Sequence, residues 1–513
     1  MHLTNMPPEM FYEILYLLHP KILLTCSTVG PNIPLPDDLL DTIARKVSRA
    51  WHETIVRSPA LQYAIRLWKD GLLPGDSGSS SSTDMLRALD RRRQAWANLA
   101  WTSRTVVEIP PLSTCKAFDI SGGVFAMQMQ GPDFCTLSLR DLDVDGNTES
   151  LLRRQGLGID AEKFEDFTLD PTQDLIASFH QSSPGEGTLV FQTISGRQHH
   201  PLARCPVVSF PIDTQAPVLS YIQIADDVVG AAIFEDGCST LRVWSWRTGE
   251  HMARLPECDS PYPDSQFLSP RAFVQAVPCG YGHIEVYMID TNETGVSDFV
   301  PVAMLELPDL AVDHDLTFIG MHCGPTCPHP MPRRPFSSAF TRRIYLFHLE
   351  YVSPAGSLHI RLFVPHRTLY GYVSRYEQER LTAPVEVPWE DWGPQHTRML
   401  PGDEYGWTGH VHGERVVLPA DDGGRKCIHL LDFSPIFPGQ PEIVEDSQTS
   451  DTRTAFVSEP TTINGTFEEP VTTSLLYRST MRSMDEDFDV LLLDQDHIIG
   501  MDSKEGKMTV FTF

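Results

Sequence analysis

Val190-Phe-Gln-Thr-Ile-Ser-Gly196, closing at Leu202, and Val243-Trp-Ser-Trp-Arg-Thr-Gly249, closing at Leu255, align at a constant offset of 53 residues. Each copy is a short β-branched and aromatic run that ends in a Gly-containing turn, which is how a strand enters a hairpin. Units of about 40–55 residues carrying several strands each point to a β-propeller, because one such unit cannot bury its apolar face alone. The 410 residues from 104 to 513 hold about seven units of that length. An array of β-sandwiches is the alternative architecture.

Outward from this repeat, the same texture continues in both directions. Val124–Met129, Leu175–Phe179, Val228–Phe234, Ala272–Val277, Ile344–Leu349, Ile360–Val364, Val416–Leu418 and Met508–Phe513 read as strands between Gly, Asp and Pro turns. No long helical period is visible after residue 104. The second copy, with Leu241-Arg-Val-Trp followed by Arg-Thr-Gly-Glu250, resembles the outer strands of a WD-repeat blade. Ser245 stands where that family usually carries Asp, which puts its hydrogen-bond network in doubt.

Before residue 104 the period is helical. Ser58-Pro59 caps and starts a helix running through Leu61, Ile65 and Trp68 to Gly71. Pro74-Gly-Asp-Ser-Gly-Ser-Ser-Ser-Ser82 is a linker by composition, and Thr83-Asp84 opens a second helix with Leu86, Leu89, Trp96 and Leu99. Further upstream, Met6-Pro-Pro-Glu, then Phe11, Ile14, Leu15 and Leu18 at helical spacing, then Leu-His-Pro20 and Leu23-Leu-Thr-Cys26 form two short helices. Val47-Ser-Arg-Ala-Trp51 and Ile55 supply a third stripe.

These N-terminal segments, over about residues 4–58, resemble the F-box, the module by which substrate receptors dock on the Skp adaptor of cullin-RING ubiquitin ligases. The resemblance implies that Pro7, Ile14, Leu15, Leu18, Leu23, Leu24 and Trp51 bind the adaptor. It is interrupted by 18 residues, Val29–Lys46, which are either a looped insert or an intron retained in frame. The Ser-Pro-Ala-Leu-Gln-Tyr and Arg-Arg-Arg-Gln-Ala-Trp segments resemble the continuation found in fungal F-box proteins. The expected chain is therefore α+β and multidomain: an F-box at 1–58, a helical neck at 59–103, and a mostly-β, propeller-like target-binding domain at 104–513.

Composition narrows the function. A formal charge of −28 argues against general binding to nucleic acid or to anionic membrane, since both demand clustered cations. Ten scattered cysteines suggest reduced thiols in cytoplasm or nucleus, and no run approaches a membrane span. Arg333-Arg334 and Arg342-Arg343 stand out as candidate target-binding cations, because guanidinium groups grip phosphate or carboxylate bidentately.

Catalytic and metal signals are weak. Gly75-Asp-Ser-Gly78 sits in the Ser-rich linker without a base or oxyanion hole. His322-Cys323-x-x-x-Cys327-x-His329 has ligand types for zinc but no closed-module spacing. His410-Val-His412 reads as an ordinary same-face strand pair. Asp226-Asp227 and Asp485-Glu-Asp487 read as turn acids. The expectation is a non-enzymatic receptor with no metal or cofactor, partnered by the Skp adaptor, its cullin and a target protein. A propeller scaffold unrelated to ubiquitin, or a propeller hydrolase with carboxylates along its channel, are the alternatives.

Overall fold

The computed structural model describes residue 19, residues 52–75, 78, 80–129, 133–143, 153–156, 164–183, 185–212, 219–235, 238–255, 264–291, 297–324, 326–327, 329–331, 334–403, 410–435, 451–502, 504 and 506–513. The chain divides into two compact units, with a boundary between Ala100 and Trp101.

The first unit is helical. Helix α1, Pro59–Lys69, starts where Ser58 accepts the Leu61 N–H at 3.4 Å and stops at Asp70, followed by Gly71 in the left-handed region at φ 64°. Helix α2, Ser82–Ala97, is capped by Ser81, two residues earlier than Thr83-Asp84 suggested. Leu61, Ile65 and Leu67 are the buried positions of α1, and Met85, Leu89, Trp96 and Ala97 those of α2. Ion pairs Arg66–Asp90 and Arg93–Asp70 tie the two helices at their flanks. Pro330–Ser338 also belongs to this unit: Phe336–Ser338 pairs antiparallel with Leu72–Pro74, and Phe336 packs with Leu67, Leu72, Met85 and Leu89.

The second unit is mostly β and consists chiefly of seven antiparallel sheets, called A to G in the order met along the chain. Sheet A is Cys115–Ser121, Val124–Met129, Asp133–Ser138 and Arg153–Gly156. Sheet B is Phe164–Asp170, Leu175–Ser183, Glu186–Thr193 and Val207–Pro211, and sheet C is Leu219–Ala225, Val228–Glu235, Cys238–Ser245 and His251–Arg254. Sheet D runs Asp264–Ser269, Ala272–Val277, His283–Thr291 and Ser297–Glu306, extended by a parallel strand Val385–Val387.

Sheet E is Asp315–His322, Ile344–Ser353, Gly356–Pro365 and Arg398–Pro401. Sheet F is Val411–His412, Arg415–Asp422, Arg425–Asp432, Tyr477–Ser483 and Thr452–Val457 in spatial order. Sheet G joins Val490–Leu493, His497–Asp502 and Lys507–Thr512 to Ser103–Glu108, so the first strand of the unit pairs with its last. All eight strand runs read from the sequence lie in or across these strands.

The core lies between successive sheets. Leu175, Phe179, Leu189 and Phe191 of sheet B meet Ile222, Val229, Ile233 and Trp244 of sheet C. Leu241 and Val243 of sheet C meet Phe267 and Phe273 of sheet D. Full burial of side chains of this size contributes about 1.5–3 kcal/mol each.

Two sequence expectations need correction here. First, the repeat is out of register by one residue. Leu175 pairs with Thr193 and Val228 with Ser245, so the second strands of sheets B and C differ by 53 residues but the third strands by 52. Phe191 is therefore the counterpart of Val243, both directed toward the next sheet. A one-residue slip moves every side chain to the opposite face. The left-handed turn residue is Arg197 in one copy and Gly249 in the other, and Leu202 is exposed where Leu255 is buried.

Second, residues after 104 do contain helices. Helix α3, His366–Glu379, and helix α4, Trp389–His396, are inserted between the third and fourth strands of sheet E. Helix α3 buries only His366, Leu369 and Val373, and its three tyrosines read as strand formers, which conceals its period. Helix α4 is anchored by Trp392, whose Nε1–H donates to Glu306 O at 2.9 Å.

Candidate functional site

One edge strand from each of the seven sheets reaches a common cavity of about 280 Å³. Phe118–Ile120 come from sheet A, Asp166–Asp170 from B, Tyr221–Ile224 from C, Gln266 from D, His322 from E, Val411 from F and Leu493 from G. Cys323, Thr326 and Cys327, following the first strand of sheet E, complete the wall.

The sheets are joined around this cavity by a recurring contact. An aspartate on the edge strand of one sheet accepts a backbone N–H from the edge strand of the next. Asp119 of sheet A accepts Leu169 N–H at 2.9 Å and the Thr168 hydroxyl at 3.1 Å. Asp166 of sheet B accepts Ile222 N–H at 3.0 Å, and Asp264 of sheet D accepts Met321 N–H at 2.7 Å. Sheet C uses neutral groups for the same purpose: the Tyr221 hydroxyl accepts Ser265 N–H at 2.6 Å and Gln223 Oε1 accepts Phe267 N–H at 3.3 Å.

Such contacts satisfy backbone donors that an edge strand would otherwise leave unpaired. Burial raises all three carboxyls above their ordinary range: Asp166 is pushed up to about 8 and Asp264 to about 6, with Asp119 raised as well. Sequence reading missed these residues, since each lies at the start of, or within, a strand and its backbone partner belongs to the next sheet.

The sequence candidates are dispersed by the fold. Pro7, Ile14, Leu15, Leu18, Leu23, Leu24, Trp51 and the segment 29–46 lie outside the described residues, as does Arg333. Arg334 is buried in the helical unit. Arg342 is held by Glu414, with Nη2 and Nε donating at 2.7 and 3.0 Å to one carboxylate oxygen.

Arg343 is a correction. Its guanidinium is buried and donates to the carbonyls of Gly324, Phe267 and Leu268, to Thr326 Oγ1 at 2.6 Å and to the Tyr345 hydroxyl at 2.8 Å. A cation so occupied holds Gly324, Thr326 and sheet D to sheet E, and it has no free face for a target.

The possible ligands of 322–329 also part company. Cys323 Sγ donates to Gln266 Oε1 at 3.2 Å, Cys327 Sγ lies 3.7 Å from Ser121 Oγ, and His329 Nε2 lies 3.0 Å from Asp226 Oδ1. Asp226 and Asp227 occupy a turn, as expected, but they are also paired, with His329 and Arg271 respectively. His410 is buried, and His412 Nδ1 stands 4.0 Å from Asp494. As the side chains stand, no group of three His, Cys, Asp or Glu among the described residues is set to hold a metal ion. No helix among them is long and apolar enough to cross a membrane.

No protein-family model matches this chain, and no curated protein matches it. Among solved structures, the chain is similar to the computationally designed Ika8 protein at 11% identity, covering 80% of this chain and 100% of that one, with a TM-score of 0.34. It is similar to the designed Ika4 protein at 15% identity, covering 34% and 91%, with a TM-score of 0.23. An uncharacterized protein from Listeria monocytogenes EGD-e matches at 9% identity over 59% and 91%, with a TM-score of 0.26. Likenesses this distant carry no argument about fold or activity.

Proposed function

We propose that this chain is the substrate-recognition subunit of an SCF-type ubiquitin ligase, acting in cytoplasm or nucleus. Its first 58 residues dock the Skp adaptor as an F-box, and its seven sheets are the blades of a β-propeller that presents a target protein. Ubiquitin transfer is the work of other subunits. The receptor contributes proximity, raising the effective concentration of the target near the charged conjugating enzyme.

The F-box reading is carried by the sequence motifs of Met6–Thr28 and Val47–Ile55 and the order in which they follow one another. The propeller reading is supported by the cavity to which every sheet sends one edge strand, and by sheet G, whose strands come from both ends of the unit. That pairing is the closure a ring of blades requires.

The hydrolase alternative draws on Asp119, Asp166 and Asp170 in the cavity wall. Their oxygens already accept hydrogen bonds from the protein: Asp170, for example, takes Thr172 N–H at 2.9 Å and Gln173 Nε2–H at 2.8 Å. We therefore assign these acids to holding sheets and turns. The test is co-purification of the full chain with a Skp-family adaptor. Leu15→Asp combined with Leu18→Asp should abolish capture and leave the melting of the β unit unchanged. Capture that survives the double change would refute the F-box assignment.

A further inference from the structure

The fold brings together one histidine from the 322–329 segment and one from His410-Val-His412, and adds a third between them in sequence. His322, at the end of the first strand of sheet E, and His348, on the neighbouring strand, lie on one face, because His348 pairs with Gly320 two residues before His322. His410, just before sheet F, completes the group. Ring centroids are 5.5 Å apart for His322–His348, 5.4 Å for His322–His410 and 5.8 Å for His348–His410, with interplanar angles of 79°, 61° and 85°.

Three imidazoles on one tetrahedral zinc, at Zn–N of about 2.0–2.1 Å, have centroids about 5 Å apart. The observed spacing is within several tenths of an ångström of that arrangement. His410 is 3% exposed, and neither of its ring nitrogens has a hydrogen-bond partner. A buried imidazole with no partner for either nitrogen is uncommon, since such groups are normally satisfied.

We propose that His322, His348 and His410 form a binding site for a divalent transition-metal ion of the zinc type, completed when the rings turn about their Cβ–Cγ bonds. A half-turn exchanges Nδ1 with Cδ2 and Nε2 with Cε1 while leaving each centroid nearly in place. His410 gives up no hydrogen bond by turning. Three nitrogen ligands leave a fourth tetrahedral position for water, and His322 also lines the 280 Å³ cavity. Arg361, opposite His348 on the next strand, is the nearby cation; its Nη2 donates to Asp403 at 3.0 Å. Borderline-soft ions that favour imidazole are the expected occupants, and magnesium or calcium are not.

The experiment is titration of the full chain, stripped with a chelator, with cobalt(II), followed by displacement with zinc. The expected result is one equivalent of cobalt giving a tetrahedral visible spectrum that zinc abolishes, together with a zinc-dependent rise in melting temperature. Loss of an outer hydrogen-bond partner alone costs 10–100-fold in metal affinity, so His410→Gln should weaken cobalt binding at least about tenfold. His348→Gln provides the same reading if the first variant does not fold. His429→Gln, a histidine whose Nε2 is 2.8 Å from Ser479 Oγ, should leave binding unchanged. An octahedral spectrum, no saturable binding, or equal binding by the cluster variants would overturn the proposal.

Discussion

The Asp166 carboxyl accepts the backbone N–H of Ile222 at 3.0 Å, joining sheet B to sheet C at the wall of the cavity. Burial raises its folded pKa to about 8, against 3.8 for the ordinary group, so the neutral acid is the form that the fold favours. The stability it contributes is complete below about pH 4 and is lost as pH rises through about 8, at about 1.4 kcal/mol per pH unit within that window. Asp166→Asn keeps an oxygen for Ile222 and removes the ionisation. Its melting temperature relative to wild type should climb steadily between pH 4 and pH 8. A difference that stays constant across that range would show that the carboxyl does not titrate as its burial demands.

Arg343 should behave as a structural residue. Arg343→Met removes a guanidinium that donates to three carbonyls and two hydroxyl groups; Phe267 O keeps the Tyr345 hydroxyl and Leu268 O keeps His366 Nε2, while Gly324 O and Thr326 Oγ1 lose this donor. Each unsatisfied group costs about 1–3 kcal/mol, so the variant should lose at least about 2 kcal/mol by chemical denaturation. Arg367→Met, at a half-exposed site, should lose less than about 1 kcal/mol.

Sheet G makes the two ends of the β unit interdependent. Val107 faces Met508 across the pairing of Ser103–Glu108 with Lys507–Thr512, and both are buried. Val107→Asp places a charge in that core and should destabilise the unit by about 3 kcal/mol or more. Hydrogen exchange should report it as lost protection in 498–501 and 508–511, far away in sequence. Protection lost only around residue 107 would argue that the strand is dispensable.

The segment 29–46 offers a separate test of the N-terminal reading. Deleting it rejoins Leu-Leu-Thr-Cys-Ser-Thr28 to Val47-Ser-Arg-Ala-Trp51. If these residues are a looped insert or a retained intron, the shortened chain should capture the Skp adaptor at least as well as the full one. A deletion that abolishes capture without unfolding the β unit would make the segment part of the docking surface.

The sequence by itself determined the local elements. Ser58-Pro59 specified the start of α1, Gly71 its end, and runs such as Val124–Met129 and Ala272–Val277 were strands with the predicted bounds. These are decided by capping chemistry, backbone sterics and periodicity within a few residues. Tertiary structure decided the rest. The 53-residue repeat was visible, but its third strand is set by pairing with the second, and that pairing shifted it to 52. Helix α3 forms where Leu369 and Val373 find a core to bury in, although its tyrosines suggest a strand. Asp119, Asp166 and Asp264 gained their role from a backbone N–H 50, 56 and 57 residues away, and His322, His348 and His410 met only because sheets E and F adjoin. No local rule encodes those contacts, because the energy of burying and pairing such groups exists only once distant strands are side by side.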